Sequence, residues 1–369
     1  MKRFLTGLWI SLLFFLVLEL GVRGCWSPPN PYQNLDVGMQ MQPHFTRIWA
    51  LKPGMEKQFG VQVTIDKNGF RQSSEPVGAE TWLLLGDSSF FGHGLSDKET
   101  LHELLQEQLK LQEHSIHVRC GGVPGYSILQ TQRLMKEIGW ETKPKLLLIG
   151  NLWSDNNFDH FVDKDWLSAL EPPSIFHQLL WGSRFFGWLQ YQIRPPNIGQ
   201  KDDPHRKVSW IRDPLAKGKR RVDVQTYMNT LDELVQEAGK RGVGVVLIQP
   251  ANRYRVEGSV PNATWDPYFE AQRAVASHRG VPIFDAAAYL RVFGMSAQEA
   301  FLDELHPSGT ANELLAQGIL LTLQASGWPD SLPLPSIDAK RIKHTIVDPW
   351  REGANFISNT GQDQAPQKP

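Results

Sequence analysis

Two short stretches of this 369-residue chain hold residue types that could do nucleophilic chemistry. Leu83-Leu84-Leu85-Gly86-Asp87-Ser88 sets a serine just after a compact apolar run, and Phe301-Leu302-Asp303-Glu304-Leu305-His306-Pro307 sets a carboxylate and an imidazole three positions apart. A serine hydroxyl is a weak nucleophile until a base within hydrogen-bond reach takes its proton. An Asp and a His at this spacing can share one side of a turn. The carboxylate then holds Nδ1–H, which fixes the tautomer and leaves Nε2 free for the serine. Neither stretch is specific alone: Gly-Asp-Ser also makes a strand-ending turn or a helix N-cap, and Asp-x-x-His is often plain surface polarity. Asp285, Asp87 and His93 compete for the acid and base roles, and Ser89 is expected to start the following helix.

For the two stretches to meet, the chain must supply a frame. Apolar runs at Trp82–Leu85, Ile116–Val118, Lys145–Ile149, Val243–Ile248 and Val281–Phe284 read as buried strands, with a short alternating strand ahead of them at Val61–Ile65. Helical spacing predicts helices over Thr100–Leu111, up to Leu134, over Val224–Arg241, Tyr268–His278 and Asn312–Ala325. Strands alternating with helices predict an α/β protein: a three-layer α/β/α sandwich around a central, mostly parallel five-stranded sheet. Ligands bind such sheets at the carboxyl ends of the strands, so Ser88 is aimed at a crevice.

Between the third and fourth of these strands lies a long insertion, about 158–221, with Trp166, Trp181, Phe185, Phe186, Trp188, Tyr191 and Trp210. Its length suggests a lid or binding loop, and its aromatic content argues against disorder. Lys217, Lys219, Arg220 and Arg221 read as a solvated loop.

Taken together, the two chemical stretches resemble the SGNH (GDSL-like) hydrolase superfamily over roughly residues 65–325. There Gly-Asp-Ser follows the first strand and Asp-x-x-His-Pro precedes the last helix. Asn68-Gly69-Phe70-Arg71, Gly92, Gly94 and Gly122-Val123-Pro124-Gly125-Tyr126 are similar to a bacterial branch of exported, membrane-anchored members. The resemblance implies a flavodoxin-like sandwich with Ser88 as nucleophile, His306 as general base and Asp303 orienting it. The N–H groups of Ser88 and Gly122 would form an oxyanion hole. Where the family usually has an asparagine two residues before that glycine, this chain has Cys120. The family's third-block asparagine has no unique counterpart: the spacing favours Asn156, with Asn151 as the alternative.

Composition sets limits on the rest. A charged share of 21% and a net charge of −1 argue against a broad nucleic-acid footprint, and no zinc, P-loop or dinucleotide motif occurs. The chemistry expected is therefore free of metal and cofactor. Cys25 and Cys120 cannot make a disulfide framework.

Lys2 and Arg3 precede an apolar run from Phe4 to Leu20, which predicts an anchor with the body on the far side of a bacterial inner membrane, in the periplasm. Signal cleavage, or lipidation at Cys25 within Val22-Arg23-Gly24-Cys25, is the alternative and would give a secreted protein or a lipoprotein. The expected division is an anchor at 1–24, a loosely packed juxtamembrane linker at 25–60, a hydrolase domain at 61–328 and a partly disordered tail at 329–369. The expected activity is hydrolysis of small or glycan-borne O-acyl (acetyl) esters. O-acyl transfer to a glycan, or non-catalytic glycan binding, are the alternatives.

Overall fold

The computed structural model describes residues 2–27, 41–72, 80–159, 161–170, 183–193, 195, 219–258, 260 and 263–348. The chain opens with helix α1 (Lys2–Cys25) and two antiparallel hairpins, β1 (Met41–His44) with β2 (Ile48–Leu51) and β3 (Gly54–Gln58) with β4 (Val61–Ile65). The α/β body begins with β5 (Glu80–Leu85), α2 (Ser88–Phe91), α3 (Leu101–Leu111), β6 (Ile116–Cys120), α4 (Ile128–Leu134) and β7 (Leu146–Ile149). The insertion follows as α5 (Trp153–Asn156), β8 (Phe158–Asp159), α6 (Asp163–Leu170), α7 (Arg184–Ile193) and β9 (Lys219–Arg220). The body then resumes with α8 (Val224–Lys240), β10 (Gly244–Gln249), α9 (Arg253–Glu257), α10 (Asp266–Arg279), β11 (Ile283–Asp285), α11 (Ala286–Val292), α12 (Ala297–Ala300) and α13 (Gly309–Ala325).

The central sheet has the order β11-β10-β7-β5-β6, and every pairing in it is parallel. Its strands are apolar on both faces because both faces are covered. The period of two divides them between two cores. Leu83, Leu85, Leu147, Ile149, Val245 and Leu247 pack with α4, α8 and α10. Trp82, Leu84, Leu146, Leu148, Val246 and Ile248 pack with α3, α11 and α13. Each such side chain contributes about 1.5–3 kcal/mol by burial. The result is the expected three-layer sandwich. β5 sits between β6 and β7, so the chain changes direction across the sheet beside the end of β5, the position at which open parallel sheets bind ligands.

Three expectations are corrected. The segment before residue 60 is not loose where it is described: Ile48, Trp49, Ala50 and Leu51 are almost wholly buried. Trp49 Nε1 donates to the Pro124 carbonyl at 3.0 Å, and Tyr126 Oη donates to the Trp49 carbonyl at 2.6 Å. Residues 28–40 of that segment lie outside the described residues.

The two arginines of the basic run are not solvated either. Arg221 forms a two-pronged pair with Asp163, both bonds 2.8 Å, and Arg220 pairs with Asp348 at 2.8 Å, both arginines being buried. Lys217 lies outside the described residues, as do Trp181, Trp210 and most of the insertion.

The tail, finally, packs as far as residue 348. Ile342 and Ile346 are buried, and the Val245 N–H donates to the Pro333 carbonyl at 3.0 Å. Residues 349–369 lie outside the described set.

Candidate active site

Ser88 is placed by the end of β5. Asp87 caps α2: one carboxylate oxygen accepts the Ser89 N–H at 3.0 Å, and the other accepts the N–H groups of Trp153 at 3.1 Å and Ser154 at 3.4 Å. This carboxylate therefore ties the end of β5 to the start of α5, and its burial raises its pKa. It is a structural staple and no rival to Asp303. The Phe90 ring tucks under the strand ends, where a Cβ on Gly86 or Gly150 would come within 2.4 or 1.9 Å of it, so both positions need glycine. The turn after α2 passes through Gly92 at φ +81°, a left-handed conformation that glycine adopts without strain. Ser88, the first residue of α2, stays partly open to solvent.

The second stretch forms a tight loop ahead of α13. The Leu302 N–H donates to the His306 carbonyl at 2.9 Å, which closes the loop. Asp303 Oδ1 accepts the N–H groups of Leu305 at 2.8 Å and His306 at 2.9 Å. Its Oδ2 lies 2.6 Å from His306 Nδ1. Burial acts to raise the Asp303 pKa, but the hydrogen bond and charge of His306 and the two N–H donors outweigh it and hold the carboxyl well below the usual range. With Nδ1–H committed to Asp303, Nε2 is the acceptor, and Ser88 Oγ donates to it at 2.8 Å. Ser89 Oγ reaches the Leu305 carbonyl at 3.3 Å and so binds the loop to α2. The last helix begins at Gly309 with Ser308 as its cap, three residues earlier than the helical spacing predicted.

The remaining competitors take other places. Asp285 caps α11 through the Ala288 N–H at 3.0 Å and pairs with Arg255 at 2.9 Å. His93 packs its ring on His306 at 4.5 Å between centroids and on Phe59 at 4.7 Å. Burial, with the nearby charge of His306, lowers the His93 pKa to about 4, so its ring is neutral at neutral pH. Phe59, 63% exposed at the tip of the β3–β4 hairpin, was invisible as a site residue in the sequence.

The expected oxyanion donors begin with two backbone N–H groups. The Ser88 N–H opens α2 and has no intrahelical acceptor. Gly122 is pressed against the chain: a Cβ there would lie 2.7 Å from Phe91 N. The Cys120 thiol beside it is pushed up to about 11 by burial, with the Gly122 N–H and Arg71 pulling the other way.

Both asparagines are fully buried, and their amides point elsewhere. Asn156 Nδ2 donates to Thr264 Oγ1 at 3.3 Å, and its oxygen accepts from Arg220. Asn151 Nδ2 donates to the Tyr126 carbonyl at 3.4 Å. Within α5 only Ser154 is partly open, and it lies beside Asp87. No group of metal-binding side chains occurs among the described residues.

No family model matches the chain, and no curated protein matches it in sequence. Among solved structures it is similar to LAE5, an α/β hydrolase from the metagenome of Lake Arreo, Spain, at 17% identity over 67% of this chain and 97% of that one, with a TM-score of 0.44. It is similar to Axe2, an acetylxylan esterase from Geobacillus stearothermophilus, at 18% identity over 67% and 96% of the two chains, TM-score 0.44. The psychrotrophic esterase EstA from Pseudoalteromonas sp. is a further neighbour at 13% identity over 69% and 100%, TM-score 0.41. These are likenesses of chain path, and the residue roles rest on the geometry above.

Proposed function

We propose that the protein is a serine esterase of the SGNH type in which Ser88 attacks an acyl ester. The observation that carries this is the hydrogen-bonded line from Ser88 Oγ through the His306 ring to Asp303, with bonds of 2.8 and 2.6 Å. In the first step Ser88 Oγ bonds to the acyl carbon while its proton passes to His306 Nε2 and then to the leaving alkoxide. In the second, water gives its proton to His306 and releases the acid, restoring the serine. Asp303 keeps the imidazole in the tautomer that can accept. The N–H groups of Ser88 and Gly122 are assigned to the developing oxyanion.

The substrate class we assign is an O-acylated glycan outside the cytoplasm. The exposed Phe59 ring, packed on His93, offers a flat apolar face on which a sugar ring can stack. Helix α1 is long and apolar enough to cross a membrane, and none of it is buried in the body. We read it as an uncleaved anchor that holds the body on the outer side. The test is turnover of 4-nitrophenyl acetate by the intact protein and by Ser88→Ala, with fluorophosphonate labelling of both. Equal turnover by the two proteins, or labelling that survives the substitution, rules the scheme out.

A further inference from the structure

Glu19 is a carboxylate inside the apolar part of α1, and its partners account for its presence there. Its Oε1 accepts from Arg23 Nε at 2.7 Å and from the Arg184 N–H at 2.9 Å. Its Oε2 accepts from Ser183 Oγ at 2.8 Å and from the Phe185 N–H at 3.0 Å. Two of these donors are N–H groups of the first turn of α7, which have no acceptor within their own helix. A lone carboxylate and unpaired N–H groups would each be costly in lipid. Paired, they satisfy one another.

Ring contacts extend the join along both helices. Phe15, one turn before Glu19, packs on Phe185 and Phe186 with centroids 6.4 and 6.3 Å away. Trp26, just past the end of α1, meets Tyr191 at 6.1 Å. Helix α7 thus lies along the outer part of α1, its first turn level with Phe15 and Glu19. At 1.5 Å per residue, Phe15 lies about 7 Å below Leu20, where the apolar run ends. Interfacial helices bury their apolar faces about 5–10 Å deep. The run from Phe4 to Leu20 rises only about 25 Å, against a hydrocarbon core of about 30 Å.

On its other side α7 is seated on the body. Gly187, its one buried residue, faces the Phe45 ring, and the Arg184 guanidinium lies 4.6 Å over that ring. Phe185, Phe186, Trp188 and Tyr191 remain partly open, and Ile193 is 65% exposed.

We propose that α7 is a second membrane-contact element, docked on the anchor through Glu19, whose first turn enters the outer leaflet of the bilayer and holds the catalytic body at a fixed height and tilt. This rests on the reading of α1 as an anchor. The test uses the full chain with Cys25→Ser, which leaves only the buried Cys120, and a single added thiol at Trp188→Cys or, as a control, at the exposed Leu111→Cys. Each is labelled with an NBD fluorophore and reconstituted in phosphatidylethanolamine–phosphatidylglycerol vesicles carrying lipid with a shallow doxyl quencher. Carbonate extraction is run in parallel.

The expected result is blue-shifted emission and at least about twofold quenching at 188, none at 111, and a chain that resists carbonate. Glu19→Ala should still resist carbonate while the quenching at 188 falls to the control level. A carbonate-resistant chain whose label at 188 behaves like that at 111 overturns the proposal and leaves the anchor standing. Release by carbonate overturns both. Concentration-dependent self-quenching at 188 without lipid quenching assigns the face to a second copy and overturns it too.

Discussion

At the scale of single residues, the proposed chemistry depends on how His306 is held. Asp303→Asn keeps the side-chain shape but offers an amide where the imidazole needs a carboxylate, so the ring can settle in the tautomer that cannot accept from Ser88. Initial rates on 4-nitrophenyl acetate should fall by about 10²–10⁴-fold, the upper figure being the loss when the carboxylate is buried. Asp303 is half exposed on its side chain, which moves the expectation toward the lower figure. Ser88→Ala should cost about 10⁴-fold or more.

The His93 ring packs against the imidazole of His306. An aromatic pair of this kind is worth about 0.5–1.5 kcal/mol, or about two- to tenfold in rate if the ring must stay put. We therefore expect His93→Ala to lower kcat by that factor and His93→Phe to restore it. Restoration by His93→Gln but not by His93→Phe would show that a ring nitrogen, and not packing, is what matters.

At the scale of elements, the asparagine expected to complete the oxyanion hole is a fastener. Asn156 links α5 to Arg220 on β9 and to Thr264 ahead of α10. Asn156→Ala leaves buried partners unsatisfied, at a cost of about 1–3 kcal/mol of stability by thermal melting, while kcat of the folded protein stays within about threefold. Loss of a true oxyanion donor would instead lower kcat by about 10²–10³-fold with the melting temperature unchanged.

The contrast shows what the sequence can and cannot carry. Strand-forming runs, the helix spacing and Asp-x-x-His were legible because each signal is local: alternation, periodicity, a turn three residues long. The direction of the Asn156 amide was not, because it is decided by an arginine and a threonine far along the chain. The β1–β2 hairpin was missed for a similar reason. Met41-Gln42-Pro43-His44 has no alternation, and its partner strand is fixed by Trp49 reaching Pro124. Arg220 and Arg221 looked solvated because their acids, Asp348 and Asp163, are remote in sequence.

At the scale of the whole molecule, buried imidazoles couple the fold to pH. His102 on α3 is fully buried, and desolvation, helped by the Arg71 charge, lowers its pKa from the ordinary 6.5 to about 3. In the hairpin ahead of the body, desolvation together with Arg47 and Arg184 lowers His44 to about 3 as well. A histidine whose folded pKa is depressed binds its proton more readily when unfolded. Its contribution to stability is complete above about pH 6.5 and is lost as the pH falls toward 3. Each pH unit in that window removes up to about 1.4 kcal/mol per site, or about 2–4 °C in Tm.

The wild-type slope alone is no test, because burial raises the carboxyls of Asp87, Asp155 and Glu137. Those groups contribute stability at low pH that disappears as the pH rises through their folded pKa values, opposite in sign to the histidines. A difference measurement separates them. His102→Gln keeps a side-chain donor for the Gln72 carbonyl that His102 faces at 3.4 Å, and it cannot titrate. Its Tm relative to wild type should climb steadily as the pH is lowered from 6.5 to 4. A constant offset across that range would mean that the imidazole at position 102 is as readily protonated in the folded chain as in the unfolded one.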